Sequence, residues 1–183
     1  MIYFSSDWHL NHKNIMKYSN RPFSSIEEMN DNIIRNFFTS LENNSDVYYL
    51  GDLSFNLTTA ESFLMSIPKN IRFHFIRGNH DKQLQDTLLK KYCTSVCNGY
   101  KDINYNGQKI TLCHYPMYSW NCSHYGAWML HGHHHSNTQD RFYGKIMNVG
   151  VDLHNFQPIS FDEVKSFMDK REENWDMVKI DRK

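Results

Sequence analysis

No stretch of this sequence approaches the roughly eighteen consecutive apolar residues that a membrane-spanning helix needs, so a transmembrane span is not expected. An excess of charge of one sign is missing as well: twenty basic side chains face twenty acidic ones. That balance argues against nucleic-acid or membrane affinity driven by bulk charge and leaves only a local basic patch as a route to either. The opening residues, Met1-Ile2-Tyr3-Phe4-Ser5-Ser6-Asp7, lack the basic and long apolar regions of a secretory signal. Cysteine is sparse, and Cys93, Cys97, Cys113 and Cys122 show no Cys-x-x-Cys spacing. They read as reduced, mostly packed thiols of a cytosolic protein. Repeats and low-complexity linkers are absent too. The expectation is one domain over 1–183, large enough for a sizeable core, cytoplasmic and without a membrane partner.

What the chain does have is eleven histidines, and their positions matter more than their number. Short apolar runs at Ile2–Ser5, Val47–Leu50 and Ile71–Ile76 read as buried strands. Ser24–Leu41 reads as a helix: Ser25 and Glu28 form a capping-box pair, and Met29, Ile33, Ile34, Phe37, Phe38 and Leu41 follow helical spacing. Thr58–Ile67 and Lys82–Lys91 read as helices, and so does Ser160–Glu173, with a second capping pair in Ser160 and Glu163. Asn106-Gly107 between two alternating runs signals a hairpin. Short strands are expected near Trp128–Leu130 and Ile146–Val149, and the charged end Asn174–Lys183 reads as a frayed tail or an edge strand. Strand–helix alternation in the first half favours a parallel sheet, and hairpins in the second half favour a more antiparallel one. The fold class is α/β, two sheets with flanking helices.

Each of the first three strands ends in a polar cluster: Asp7-Trp8-His9, Gly51-Asp52, and Gly78-Asn79-His80-Asp81. Two more clusters follow later strands, at His114-Tyr115-Pro116 and at Gly132-His133-His134-His135. In α/β sheets ligands bind beyond the carboxyl ends of the strands, so these clusters should converge. Together they offer Asp7, His9, Asp52, Asn79, His114, His133 and His135. A four-coordinate ion does not need seven donors, whereas two ions sharing a carboxylate do. Residues one apart, as in Asp7/His9 and His133/His135, would share a side if the segments were extended. Glycines at 51, 78 and 132 permit tight turns and close backbone approach.

These motifs, in this order, resemble the signature of the calcineurin-like metallophosphoesterase superfamily, over about three quarters of the chain. The variable position of the last motif is His134, where that family more often has Ser or Thr. The resemblance implies a four-layer α/β/β/α sandwich of two mixed sheets flanked by helices. It implies that Asp7, His9 and His135 hold one metal, that Asn79, His114 and His133 hold another, and that Asp52 bridges them. It implies that His80 contacts the substrate phosphate and assists the leaving oxygen, with Asp81 orienting its ring. Two divalent ions about 3.5–4 Å apart would bind phosphate oxygens and generate a bridging hydroxide for attack on phosphorus. Mixed oxygen and imidazole ligation suits Mn2+, the favoured ion, and also Fe, Zn2+ or Ni2+.

Plainer readings stand beside these. Asp7, Asp52 and Asn79 taken singly are ordinary turn formers. His131 and His134 are left outside the ligand set, His131 as a packing or hydrogen-bonding residue near the site. His12 and Arg21 are candidate substrate contacts, each with a surface alternative. His74, His124 and His154 read as structural or surface residues, and Asp152 as a turn residue or a support behind the ligands. Trp8, Phe55, Tyr115, Tyr118, Trp120, Tyr125 and Trp128 lie near the motifs, where some could stack on a nucleobase but core packing suits most. The main expectation is therefore a metal-dependent phosphoesterase acting on a small phosphorylated, phosphodiester or nucleotide-like substrate. A nuclease on the same centre is an alternative that the neutral charge disfavours. A non-catalytic scaffold would require lost ligands, and none is lost.

Overall fold

The computed structural model describes residues 1–135 and 142–174. In chain order the first half forms β1 (Ile2–Ser5), α1 (Ile15–Tyr18), α2 (Ile26–Ser40), β2 (Asp46–Tyr49), α3 (Leu57–Ser66), β3 (Arg72–Ile76), α4 (Asp86–Tyr92) and β4 (Ser95–Cys97). The second half forms β5 (Tyr100–Tyr105), β6 (Gln108–Cys113), β7 (Trp128–His131), β8 (Ile146–Asn148), β9 (Ile159–Ser160) and α5 (Phe161–Met168). One sheet has the order β4-β3-β2-β1-β9, parallel except for β9. The other has the order β5-β6-β7-β8. Both sheets are mixed and flanked by helices, as the α/β reading expects. The second is less antiparallel than expected: only β5 and β6 pair that way, and β6, β7 and β8 run parallel.

Side-chain alternation divides the apolar residues between two main cores. Tyr3, Val47, Tyr49, Phe73 and Phe75 point from the first sheet toward α2, α3 and α4, where Trp8, Phe37 and Phe63 join them. Phe4, Leu50 and Ile76 point the other way, against Ile110, Leu112, Leu130 and Met147 of the second sheet, and Phe161, Val164 and Met168 of α5 join them. A strand buried on both faces reads as a continuous apolar run, which is why β1 was visible in sequence. On the outer face of the second sheet Cys113, Met129 and Ile146 lie under Trp120 and Ala127 of the long loop after β6.

The caps explain several boundaries. Ser25 accepts from the Glu28 N–H, but the Glu28 carboxylate turns back to the N–H and hydroxyl of Ser24. Ser160 and Glu163 make the full reciprocal box that starts α5. That helix stops at Met168, short of Glu173, and Arg171 beyond it donates to the carbonyls of Phe142 and Gly144. Helix α4 begins at Asp86 rather than Lys82, because residues 81–84 close a turn (Leu84 N–H to Asp81 carbonyl) and Gln83 reaches the Ser54 carbonyl. Of the expected edge strand or frayed end at Asn174–Lys183, all but Asn174 lies outside the described residues. The four thiols are unpaired. Among the described residues no helix is long and apolar enough to cross a membrane.

Candidate metal centre

Five strands from both sheets deliver their carboxyl ends to one place. β1 leads to Asp7 and His9, β2 to Asp52, β3 to Asn79 and His80, β6 to His114, and β7 to His133 and His135. The sheets are joined there by direct bonds: Val151 N–H to the Ser6 carbonyl, and His114 Nδ1 to the Leu50 carbonyl at 2.8 Å. The segment after β1 shows how local packing aims the donors. Trp8 turns into the core, edge-on to Phe37, Tyr49 and Phe63 with centroids 5.3, 5.2 and 4.8 Å away, and its indole N–H donates to Ser5 Oγ. Its neighbours Asp7 and His9 are thereby left on the site side.

The spacing argument for these pairs needs correction. Asp7, His9, Asp52 and His133 do not lie on extended segments; their φ angles are +61°, +50°, +63° and +69°. Left-handed backbone at such residues costs on the order of 1 kcal/mol each. It persists because the turned N–H groups find partners. Asp7 N–H bonds the Gly51 carbonyl and His9 N–H the Asp52 carbonyl, while His133 N–H meets both oxygens of Asp7. Gly51 is required for the same reason, with φ +94° and space for a Cβ only 2.3 Å from Gly78 N.

Two groups of donor atoms result, each within 4.8 Å: Asp7, His9 and His135, and Asp7, Asp52 and His114. Asp7 is common to both. Asp52 Oδ1 accepts the His80 N–H at 2.8 Å, while Oδ2 lies 3.6 Å from His9 Nε2 and 3.4 Å from His114 Nε2. Asn79 Oδ1 meets His114 Nε2 at 2.8 Å and His133 Nδ1 at 3.0 Å. Five of the seven donors expected from sequence fall in these two groups, and Asn79 and His133 adjoin them through these bonds.

The tautomers favour a cation. His114 gives its Nδ1 hydrogen to the Leu50 carbonyl, so its Nε2 presents a lone pair toward the Asp52 carboxylate. His135 gives its Nδ1 hydrogen to Asp152 Oδ2 at 2.8 Å, and its Nε2 faces His9 Nε2 at 3.1 Å. Ring nitrogens and carboxylate oxygens gathered this closely can offer their lone pairs to a positive ion set among them. The buried His9 Nδ1 has no hydrogen-bond partner among the described residues. Imidazole and carboxylate donors without a thiolate fit a divalent ion of the manganese, iron or zinc type.

Protonation follows burial. Desolvation raises the Asp7 carboxyl, countered by His114, His135 and the Ser6 hydroxyl. Burial, then the neighbouring His135 and Arg21, drives His9 far below the usual imidazole range. Burial and His114 also lower His133. At His135 burial is outweighed by Asp152 and Asp7, and its pKa rises. An ion entering there would displace that proton.

Three expectations fare differently. Asp81 does not orient the His80 ring. Its buried carboxylate accepts the N–H groups of Asp52, Leu53 and Gly78 at 2.7, 3.0 and 2.8 Å, pinning the turns after β2 and β3 together. Arg21 is not a substrate contact: its side chain is 0% exposed and is paired with Asp152. Asp152, read as either a turn residue or a support behind the ligands, supports His135. The signal for it was its place just after β8, in Asn148-Val149-Gly150-Val151-Asp152.

His80 is exposed, with its ring 5.5 Å from that of His9 and 4.8 Å from Phe55. His12 is half-buried and stacks on Phe55 at 4.1 Å. His131 is buried and bonds the Gly132 carbonyl; His134 stays outside the donor groups. His74 bridges Asp46 and Ser95, and His154 bonds the Asn148 carbonyl. Trp8, Trp120 and Trp128 are core residues, whereas Phe55, Tyr115, Tyr118 and Tyr125 are exposed.

Residues 1–150 match the sequence pattern of the calcineurin-like phosphoesterase family. The chain is 37% identical over 175 residues to the uncharacterized protein MJ1445 of Methanocaldococcus jannaschii, covering 92% of each. It is similar in structure to the protein of unknown function AQ665 from Aquifex aeolicus. There the TM-score is 0.72 and the identity 26%, over 91% of this chain and 98% of that one. A remoter likeness is to YfcE, a phosphoesterase from E. coli, with TM-score 0.45 and 13% identity over 81% and 77% of the two chains.

Proposed function

This chain belongs to the calcineurin-like phosphoesterase family, and from that premise we propose that it hydrolyses a phosphodiester or nucleotide-like ester at a centre of two divalent metal ions. Asp7, His9 and His135 would hold one ion and Asn79, His114 and His133 the other, with Asp52 shared. The observation that carries this reading is the convergence of all seven donors, with Asp52 Oδ2 lying between His9 Nε2 and His114 Nε2. Ions of this kind neutralise phosphate charge and activate water near neutral pH.

The remaining work falls to the chain. The His80 N–H holds Asp52 Oδ1 and so leaves Oδ2 facing the two imidazoles. The exposed His80 ring would meet the substrate phosphate and give a proton to the departing oxygen. Asp81 keeps the two turns in register from below. Phe55 is 42% exposed beside His80, and Tyr115 is 47% exposed, its ring 4.7 Å from that of His133. Two exposed rings beside the donors support a substrate with a flat group, which stacking would hold by about 1–3 kcal/mol. The neutral overall charge favours a small substrate over a long polyanion.

The test is hydrolysis by chelator-stripped protein given Mn2+, Ni2+, Zn2+ or Mg2+. The substrates are p-nitrophenyl phosphate, bis-p-nitrophenyl phosphate and thymidine 5′-p-nitrophenyl phosphate. Ion-dependent cleavage of the diesters over the monoester is expected, with the lowest KM for the nucleoside diester and loss of activity in Asp52→Asn. Failure of every ion to restore cleavage, together with no metal uptake, refutes the reading.

A further inference from the structure

The two halves of the donor cluster are supported from behind by different means. His114 is steadied by a backbone carbonyl, that of Leu50. His135 is steadied by a buried ion pair. The guanidinium of Arg21 grips Asp152 with two parallel bonds, Nε to Oδ1 at 2.7 Å and Nη2 to Oδ2 at 2.9 Å, and the same Oδ2 accepts from His135 Nδ1. Of the remaining donors of Arg21, Nη1 bonds the Trp8 carbonyl at 2.7 Å and the Met29 sulfur at 3.4 Å, and Nη2 bonds the Asp7 carbonyl at 2.7 Å. One side chain therefore touches the supports of three donors. It holds Asp7 by its own carbonyl, His9 by the carbonyl just before it, and His135 through Asp152.

We propose that Arg21 is a positioning residue that, with Asp152, braces the Asp7–His9–His135 ion site and leaves the Asn79–His114–His133 site unaffected. This rests on the metal-centre reading above. The physical argument has three steps. A fork of guanidinium donors fixes the plane of the Asp152 carboxylate, which a lysine ammonium cannot do. The fixed carboxylate sets both the tautomer and the ring direction of His135, so that Nε2 points to the ion with its lone pair free. Finally, the grip on the Asp7 and Trp8 carbonyls holds a segment whose φ angles, +61° at Asp7 and +50° at His9, would otherwise relax. Side-chain partners of this kind typically change metal affinity by about 10–100-fold.

Arg21 and Asp152 lie 131 residues apart in sequence, so the brace also explains why an arginine next to a proline looked like a surface residue. Its burial makes Arg21→Ala a poor probe, because it would strand the Asp152 charge inside the fold. Arg21→Lys keeps the charge and loses the fork. Asp152→Asn keeps the shape and offers one accepting oxygen where two were used.

The test is calorimetric titration of chelator-stripped wild type, Arg21→Lys and Asp152→Asn with Mn2+, alongside the 15N spectrum of the His135 ring in the metal-free proteins. Wild type should take up two ions. Each variant should bind one of them about 10–100-fold more weakly and the other within about threefold of wild type. At a pH where the ring is neutral, the wild-type ring should carry its hydrogen on Nδ1, and in Asp152→Asn that preference should be lost. Equal weakening of both ions, unchanged affinity for both, or an unaltered His135 ring overturns the brace. A wild type that takes up no Mn2+ removes the metal centre itself, a result separate from any difference among the variants.

Discussion

Adding a single methyl group at Gly132 tests how tightly the centre is built. Gly132 lies between β7 and His133, and its φ lies outside the left-handed region, so alanine meets no backbone strain there. Space is the only obstacle. A Cβ would sit 2.4 Å from Asp7 Oδ2, 2.4 Å from Ser6 Oγ and 2.9 Å from Ser6 Cβ, where ordinary contact begins at 3.4 Å. Something must give by about 1 Å, the shortfall between 2.4 and 3.4 Å. Ser6 and Asp7 are both fully buried and bonded to each other at 2.6 Å, so neither can swing into solvent. Overpacking of this size costs about 1–3 kcal/mol, or roughly 2–12 °C in melting temperature for a chain of this length. The functional loss should be larger, because Asp7 is a donor of the proposed centre and a ligand misplaced by about 1 Å costs about 100-fold in rate. The assay is thermal melting and Mn2+ titration of chelator-stripped Gly132→Ala, with Gly107→Ala as control. Gly107 has φ +83° and nothing within 4 Å of its added Cβ, so the control loses stability through strain alone and keeps its ions. If Gly132→Ala binds two ions as tightly as wild type, the packing argument is wrong.

Removing the Asp81 carboxylate should be costly at a distance from any substrate. Asp81→Ala leaves the N–H groups of Asp52, Leu53 and Gly78 without their acceptor, and at about 1–3 kcal/mol each the urea midpoint should fall by the equivalent of at least about 3 kcal/mol. A loss below about 1 kcal/mol in urea unfolding would contradict it. The metal-free protein should also weaken in mild acid. Burial holds His131 down at about 4, against 6.5 in an unfolded chain. Between those values the unfolded chain binds the extra proton, so stability is present above pH 6.5 and is lost as pH falls toward 4. The lost contribution approaches about 3 kcal/mol, and denaturant melts across that window should show a flatter slope in His131→Asn. An unchanged slope would show that His131 titrates normally.

The donor set was open to reading in sequence because each donor follows the end of an apolar run, and several are flanked by glycine. Chemistry-bearing residue types placed there have few other reasons to recur five times. What lay behind the donors was readable only in part, at Asp152. Asp81 is adjacent to His80, and adjacency suggested that it serves the ring. The turn instead folds its carboxylate back onto three backbone N–H groups. The pairing of Arg21 with Asp152 depends on docking between distant segments. The convergence of Asp7 with His9 was anticipated on a false premise, since the two share a side through left-handed turns and a buried Trp8 rather than through an extended strand. In the fold, β4 and β9 have three and two residues, too few for a periodic signal. The parallel pairing of β6 with β7 was hidden because the loop between them makes the crossover without an α-helix.

The long separation between donors bears on how the protein is made. His9 and His135 meet across 126 residues of chain. Synthesis at about 5–20 residues per second puts roughly 6–25 seconds between their emergence. For most of that interval the nascent chain carries Asp7, His9 and Asp52 while His114, His133 and His135 are still to come. Neither of the proposed ion sites has all its donors until the segment after β7 has docked, which would defer capture of an ion to a late stage of folding. A truncated or stalled product is left with scattered donors in place of a working centre.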